Sequence, residues 1–298
     1  MIKVSIRLMC YNQEKYIAQA IDSILMQRVD FDYEIVVGDD YSTDSTLKII
    51  NKYQENYPQL FKILERNHRV GRLRNFAETV ENCRGKYIAL LDGDDYWVDP
   101  NKLQKQVEFL DKNPECVICF TDCLICDEHG SPVSMHVLGE QVREDIDQRD
   151  LCSGKYFRVP TVMFRNIVRI FPKEFYEVFN ADIFLFCLLL NYGKAGYINE
   201  ITAHYRLHGG GIWSFKDRAF MIENNLKTYI ALLSIIDDKS RPHLLANIKI
   251  RYKKLIDYYK INNNYISLLK TICRFSIHRL KYIDFKLTRI NSLIKTVI

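Results

Sequence analysis

Three aspartates stand within four residues at the end of an apolar run. The run covers residues 87–91, and Asp92, Asp94 and Asp95 follow it with Gly93 between them. Carboxylates this close repel one another, so a divalent cation is the usual partner of such a cluster. Mg²⁺ and Mn²⁺ prefer oxygen ligands and complete their shell with substrate phosphates. The spacing therefore predicts a metal and diphosphate site, and an acidic surface turn is the alternative.

A second acidic pair follows another short apolar run. Residues 33–37 predict a buried strand, and Gly38 then leads into Asp39, Asp40 and a Ser/Thr-rich loop that suits a helix N-terminus. Strands and helices alternate along the chain. Strands are predicted at residues 3–10, 33–37, 61–64 and 87–91. Helices are predicted at residues 13–26 and 46–53, and a third predicted helix ends at residue 82. Such alternation predicts a mostly parallel α/β sheet, in which ligands bind beyond the carboxyl ends of the strands.

Three motifs in this order give the chain a specific resemblance. They lie at residues 4–12, 37–44 and 85–97, and together they resemble the nucleotide-sugar half of family 2 glycosyltransferases, which have the GT-A fold. The similarity continues through residues 99–106 and, more loosely, through 181–182 and 205–214. It implies an α/β domain of the GT-A type over residues 1–215.

The predicted domain has two parts and an appendage. Residues 1–110 are the expected nucleotide-sugar-binding half, and residues 111–215 are the expected acceptor half. Residues 216–298 are predicted to form a basic, helical C-terminal region.

The resemblance implies a role for each acid of the turn. Asp94 is the expected direct metal ligand, Asp92 is expected nearer the ribose or the metal-bound waters, and Asp95 faces the acceptor or caps the next segment. His208 stands before three glycines and is the expected third metal contact, since imidazole is a ligand for Mn²⁺, although an ordinary loop histidine is the alternative. The expected cofactor is therefore Mn²⁺ or Mg²⁺.

The resemblance places the nucleotide at the ends of the first two strands. Asp39 is expected to accept hydrogen bonds from the base or the ribose, with Asp40 beside it and Tyr11 offering a ring for stacking. Arg72 and Arg74 are expected near the phosphates. Loop capping by the two acids, and plain surface exposure of the two arginines, are the structural alternatives.

Sugar transfer also needs a base for the acceptor hydroxyl, and family 2 glycosyltransferases use a carboxylate. Asp182 is the candidate, because it lies directly before a long apolar helix pattern where the family carries an acidic pair. This chain departs from the family pattern with Ala181 and Ile183 on either side. The alternative is that Asp182 only N-caps a helix over residues 183–192.

Four cysteines have a spacing that suggests a metal site. Cys116, Cys119, Cys123 and Cys126 lie in an apolar, β-prone segment without Gly or Pro. Thiols on a strand alternate between its two faces, so they are predicted to be core residues rather than zinc or iron-sulfur ligands. Nine cysteines without a secretion signal are expected to be reduced thiols in a cytoplasmic protein.

Charge is unevenly distributed along the chain. Residues 240–298 hold 13 Lys and Arg against two acidic residues, whereas the rest of the chain holds 29 basic and 35 acidic residues. Interleaved Leu, Ile, Tyr and Phe suit basic amphipathic helices on the inner face of an anionic membrane, and a soluble helical bundle is the alternative. No nucleic-acid-binding motif accompanies the charge. The longest apolar run, residues 183–190, is too short to span a bilayer, which takes about 20 residues.

These features together predict a function. The expected activity is the metal-dependent transfer of a sugar, with inversion, from a nucleoside diphosphate to a saccharide acceptor. UDP is the expected nucleotide, and a lipid-linked saccharide is one candidate for the acceptor. Cell-surface polysaccharide synthesis is the expected setting. The alternatives are a nucleotidyltransferase, which the absence of a Gly-rich phosphate loop disfavours, and a catalytically silent module that binds sugar nucleotides or membranes.

Overall fold

The computed structural model describes residues 1–134, 144–214 and 216–278. Its strands are β1 (Val4–Cys10), β2 (Tyr33–Asp39), β3 (Phe61–Ile63), β4 (Tyr87–Asp92), β5 (Tyr96–Trp97), β6 (Cys116–Cys126), β7 (Pro132–Ser134), β8 (Met163–Arg165) and β9 (Lys194–Arg206). Its helices are α1 (Ile17–Leu25), α2 (Thr46–Asn56), α3 (Arg72–Glu81), α4 (Lys102–Lys112), α5 (Gln148–Ser153), α6 (Ala181–Leu189), α7 (Arg218–Leu232) and α8 (Arg241–Ile261). A further helical segment covers residues 265–278.

Nine of the described strands form one sheet. Their order is β3-β2-β1-β4-β8-β6-β9-β5, and β7 pairs with β6. The first four strands pair in parallel, as predicted. Beyond β4 the sheet is mixed, because β8 runs antiparallel to β4 and β6, and β5 runs antiparallel to β9. The predicted parallel arrangement therefore describes the first half of the sheet, and the second half departs from it.

The register of the central strand β1 brings the two acidic loops together. Cys10 at the end of β1 lies opposite Asp39 of β2, and Met9 lies opposite Asp92 of β4. Parallel strands end at the same edge of a sheet, so the acids that follow β2 and β4 flank the end of β1. Most apolar side chains of these strands are buried, and their burial fixes this register.

Helices cover both faces of the sheet. One apolar cluster joins the sheet to α1, α2 and α4, and the other joins it to α3, α6, α7 and α8. The apolar spacing of α1 predicts this packing, but α1 begins at Ile17 rather than at residue 13. Residues 14–16, just before α1, form a turn instead. Asn12, which precedes this turn, has a φ of 52°, which is incompatible with a helix.

The C-terminal helices share the core of the sheet. Leu226 and Leu232 of α7, and Leu244, Ile248 and Leu255 of α8, belong to the same buried cluster as α3 and α6. The boundary at residue 215 stays a prediction, but the described part of the C-terminal region does not have a hydrophobic core of its own. The predicted basic tail continues through residues 279–298, which lie outside the described residues.

The four closely spaced cysteines lie on one strand. Cys116, Cys119, Cys123 and Cys126 are all in β6, all buried and all free thiols. Burial raises the pKa of the Cys119 and Cys123 thiols to about 12, so both are protonated at neutral pH. These thiols pack as small apolar side chains, as the sequence predicts.

Candidate active site

Asp92 ends β4 and is held by a buried arginine from the neighbouring strand. Nη1 of Arg7 donates to Oδ1 of Asp92 over 2.8 Å, and the guanidinium stacks 4.8 Å from the Phe76 ring centroid. Burial raises the pKa of the Asp92 carboxyl, Arg7 opposes this, and the negative charge of Asp94 adds to it. Arg7 is fully buried and therefore acts on the site only through Asp92.

Asp94 and His208 come together from distant parts of the chain. Nε2 of His208 lies 3.0 Å from Oδ2 of Asp94, and the His208 ring is tilted against Tyr16 with centroids 4.8 Å apart. The turn before Asp94 favours glycine, because a Cβ on Gly93 would lie 2.9 Å from Cδ1 of Ile17 and 3.0 Å from Cβ of Cys10. The sequence-predicted pair of Asp94 and His208 is thus adjacent in space.

Asp95 belongs to the interior of the fold. Its Oδ1 accepts a hydrogen bond from the backbone N–H of Arg206 over 2.9 Å, and Nε of Arg206 donates to the carbonyl of Asp94. Burial and the neighbouring Asp94 raise the pKa of Asp95 well above its usual range. Asp95 and Arg206 therefore fix the acid turn to the end of β9, which also presents His208. Neither sequence-based role for Asp95 matches this contact.

Asp39, the last residue of β2, and Asp40 each hold a nearby loop, Asp39 the one that follows it and Asp40 the one before α3. Asp39 accepts hydrogen bonds from the backbone N–H and the hydroxyl of Ser42, and Asp40 accepts from the backbone N–H of Val70 and Gly71 over 2.9 and 3.0 Å. The capping alternative is therefore realised for both carboxylates. These bonds shape the loops at the predicted nucleotide site, and a direct contact of either acid with a nucleotide stays a prediction.

Tyr11 and the arginine next to the Asp40 loop form a stacked pair. The Arg69 guanidinium lies 3.8 Å from the Tyr11 ring centroid, and Nε of Arg69 donates to Asp40 over 3.2 Å. A planar base could stack on the same surface. Arg69 was missed by the sequence reasoning, although it lies in the basic loop in front of α3.

Asp182 lies in the first turn of α6, where the Tyr156 hydroxyl donates to its Oδ2. The helix begins at Ala181 with Asn180 as its N-cap, so the alternative that Asp182 caps a helix over residues 183–192 is wrong. The contact with Tyr156 orients the carboxylate.

Asp182 and Asp92 line the same cleft, which has a volume of about 310 Å³. Its walls come from the end of β1, from α3, from the segment around Tyr156, from the start of α6 and from one side of α7. The sequence-predicted base and the first acid of the turn thus face one space, although they are far apart in the chain.

The two predicted phosphate-binding arginines differ in position. Arg72 lines the cleft, lies over the Phe179 ring at 4.8 Å and donates to the Phe179 carbonyl. Burial lowers the pKa of Arg72, and the carboxylates of Asp182 and Asp92 oppose this. Arg74 is exposed and pairs with Glu78 over 2.7 Å. The structure therefore brings Arg72, and not Arg74, to the cleft.

A family match covers the strands and loops that carry the acid turn. The model of glycosyl transferase family 2 matches residues 5–166. The chain belongs to glycosyl transferase family 2. An uncharacterized protein of Mycobacterium tuberculosis is 34% identical over 228 residues, 72% of this chain and 62% of the relative. The chondroitin synthase of Escherichia coli is 30% identical over 232 residues, 78% of this chain and 32% of the synthase. The chain thus spans less than two thirds of the length of these relatives.

Solved structures of similar fold show the architecture of this family 2 member. TarS of S. aureus in complex with UDP-GlcNAc has a TM-score of 0.68 and 19% identity, and the match covers 91% of this chain and 79% of TarS. A mannosyltransferase of Pyrobaculum calidifontis in complex with GDP-Man and Mn²⁺ has a TM-score of 0.60 and 16% identity, with 98% and 80% covered. The predicted GT-A fold class is confirmed.

The site of this family 2 member is suited to a cation that is shared with a ligand. Within the described ranges, no group of three or more His, Cys, Asp or Glu side chains is arranged to hold a metal ion. Nε2 of His208 and Oδ2 of Asp94 are within hydrogen-bond distance of each other at 3.0 Å, and both are atoms of kinds that bind Mn²⁺. One or two protein ligands plus substrate phosphates are the usual shell of Mg²⁺. The donor set therefore fits a cation that is completed by a diphosphate.

Proposed function

We propose that this family 2 glycosyltransferase moves a sugar from a UDP-linked donor to a saccharide acceptor, with inversion, in the synthesis of a cell-surface polysaccharide. The similarity of its fold to TarS bound to UDP-GlcNAc supports the donor class. The sequence similarity to a chondroitin synthase supports a saccharide acceptor. The observation that carries the proposal is that Asp182 and Asp92 line one cleft.

Asp182 has the role of general base in this proposal. Its carboxylate accepts the proton of the acceptor hydroxyl while the hydroxyl oxygen bonds to the anomeric carbon, and the bond between that carbon and the diphosphate breaks. A single displacement from the opposite side inverts the configuration. Tyr156 holds Oδ2 of Asp182 and so positions the base.

The donor end of the site has its own residues in the proposal. Asp94 and His208 would hold a Mn²⁺ or Mg²⁺ ion, and Asp92, which Arg7 keeps in place, lines the cleft. A bound divalent cation supplies positive charge against the charge that develops on the diphosphate. Arg72 adds a guanidinium on the cleft side. The stacked Tyr11 and the loops held by Asp39 and Asp40 receive the nucleoside.

Two variants separate donor binding from proton transfer. We expect Asp94→Ala to lose metal-dependent UDP-sugar binding, because the cation loses its main protein ligand. Asp182→Asn should keep donor binding, since an amide still accepts the Tyr156 hydrogen bond, while turnover falls by roughly 10² or more. Thermal shift with UDP-, GDP- and dTDP-sugars and Mn²⁺ reports binding, and release of nucleoside diphosphate reports turnover.

The control for these variants is Asp30→Ala, which changes an exposed carboxylate away from the cleft. Wild-type metal-dependent binding in Asp94→Ala would refute the metal assignment, and undiminished turnover in Asp182→Asn would refute the base. Selective donor binding without any turnover by the wild-type protein would favour the silent sugar-nucleotide module.

We also propose that the C-terminal region contacts an anionic membrane surface. On the helical segment over residues 265–278, Leu268 and Phe275 pack against the core while the opposite face is exposed. Five apolar side chains on that face are between 41% and 71% exposed: Tyr265, Ile266, Leu269, Ile272 and Ile277. Lys270 and Arg274 flank the apolar face at helical spacing, an arrangement that suits an anionic bilayer. In the part of the chain that the structure describes, no helix is long and apolar enough to cross a membrane.

A further inference from the structure

The far wall of the cleft carries two arginines that the proposed reaction does not use. Arg158 follows Tyr156 in the segment after α5, and Arg251 comes from the middle of α8. Both line the cleft that also contains Asp182. The Arg158 guanidinium lies 4.7 Å from the Tyr205 ring centroid, and Arg251 lies 4.5 Å from the ring centroid of Tyr229.

These two guanidinium groups have contacts but no carboxylate partner among the described residues. Nη2 of Arg251 donates to the Tyr229 hydroxyl over 3.2 Å, and its buried Nε has no hydrogen-bond partner. The Arg158 guanidinium packs against two rings, 5.7 Å from the centroid of Tyr156 and 4.7 Å from that of Tyr205. The rings pack against both guanidinium groups, and both side chains line the cleft, so the two groups are placed to meet an anionic ligand there.

The carboxylates that line the cleft already have other arginine partners. Asp92 is paired with Arg7, and the carboxylate of Asp182 faces Arg72. No acidic side chain besides Asp92 and Asp182 lines the described cleft. The buried carboxyl of Asp95 interacts electrostatically with Arg158, but neither Arg158 nor Arg251 forms an ion pair with a carboxylate of the described residues. Partly burying a guanidinium costs free energy, and an anion that pairs with it offsets that cost.

We infer that the acceptor carries an anionic group, which Arg158 and Arg251 bind while its hydroxyl faces Asp182. This inference rests on the proposed function, because it names the acceptor class of the same site. A guanidinium fork binds a carboxylate or a phosphate in two parallel hydrogen bonds, so the shared chemistry is an oxyanion on the saccharide. A uronic acid would supply a carboxylate, and a phosphorylated saccharide would supply a phosphate.

The position of the two arginines separates this anion from the diphosphate of the donor. Asp94 and His208, the proposed metal ligands, do not line this cleft, whereas Gly154, Tyr229 and Arg251 do. Gly154 has a φ of +108° at the end of α5, and the Arg251 Nη2 lies 3.9 Å from where its Cβ would be. The acceptor half and α8 together thus build the part of the cleft that receives the anion.

The test compares three acceptor analogues at saturating UDP and Mn²⁺, so that the donor site is filled. They are methyl glucoside, methyl glucuronide and methyl glucoside 6-phosphate, and calorimetry gives their dissociation constants with wild type, Arg158→Gln, Arg251→Gln and the double variant. We expect wild type to bind at least one anionic analogue about tenfold or more tighter than the neutral one. Whichever anion is preferred identifies the source as carboxylate or phosphate.

The matched control is Lys253→Gln, an exposed cation on α8, which should keep the preference. Both arginine variants should bind the neutral sugar and UDP as wild type does, whereas a loosened fold would weaken UDP binding as well. Equal affinity for all three analogues, binding by none of them, or a preference that survives in the double variant would overturn the inference. Absence of UDP-sugar binding by wild type would instead refute the proposed function.

Discussion

Arg7 is a charged residue in the middle of the largely apolar strand β1, and among the described residues its side chain has one hydrogen-bond partner, Asp92. Its Nε and Nη2 are buried without a partner, so the protein does not recover the full cost of burying the guanidinium. A buried ion pair of this kind adds little to stability. We therefore infer that the role of Arg7 is to hold Asp92 in position at the cleft.

This argument predicts that Arg7→Met, which keeps the side-chain bulk, lowers turnover by about tenfold or more, a barrier change of ~1.4 kcal/mol. The melting temperature should fall, because the carboxylate of Asp92 loses its cationic partner, and the double variant Arg7→Met/Asp92→Asn, which removes both charges, should recover part of that loss. The double variant Arg7→Met/Asp92→Asn should be no less active than Asp92→Asn alone, since Arg7 acts through Asp92. Additive losses in that cycle would mean that Arg7 acts on the site by another route.

Among the elements, those with local signals could be predicted from the sequence. The apolar runs that became β1, β2 and β4 end in acids, and parallel strands bring such ends to one edge. The sequence pattern therefore predicts that Asp39, Asp92 and the end of β1 lie close together. The start of α1 was predicted too early, because residues 14–16 form a turn and Tyr16, with a φ of −121°, is the N-cap of the helix rather than part of it.

Contacts that depend on the second half of the sheet could not be predicted. Arg206 reaches Asp94 and Asp95 only because β9 pairs with both β5 and β6, and no local pattern fixes that pairing. Lys102 is fully buried beneath Trp97, where its ammonium bonds Gln106 and burial lowers its pKa to about 7. Lysine is among the residues most rarely buried, so composition and periodicity give no sign of this position.

A further prediction about the elements concerns helix α8. Leu244 is fully buried in the cluster that also contains α3 and α6, so Leu244→Ala should lower the free energy of unfolding by about 2–5 kcal/mol. Because α8 has no separate core, the chain should still melt in one transition, and UDP should raise its midpoint as a whole. Calorimetry with and without UDP measures this. An earlier transition that UDP does not affect would show that the region after residue 215 folds on its own.

At the scale of the whole molecule, charge and exposed apolar surface coincide in the C-terminal region. Residues 240–298 carry a net charge of +11, while the remainder has six more acidic than basic residues. Each Lys or Arg near an anionic bilayer contributes up to about 1 kcal/mol, and exposed Ile and Leu add burial in the interface. The cleft, with α8 as part of its wall, would then lie beside a membrane surface on which a lipid-linked acceptor is held.

This arrangement predicts that the full chain co-sediments with anionic vesicles at low ionic strength and is released at high salt, because surface attraction is screened. Leu269→Asp places a charge on the exposed apolar face and should reduce vesicle binding severalfold while UDP binding is unchanged, since Leu269 does not contact the cleft. Lys48→Gln, an exposed cation on α2, is the matched control and should bind vesicles as wild type does. If the full chain stays in solution at low salt, or if Leu269→Asp binds as wild type does, the exposed helix face has another partner.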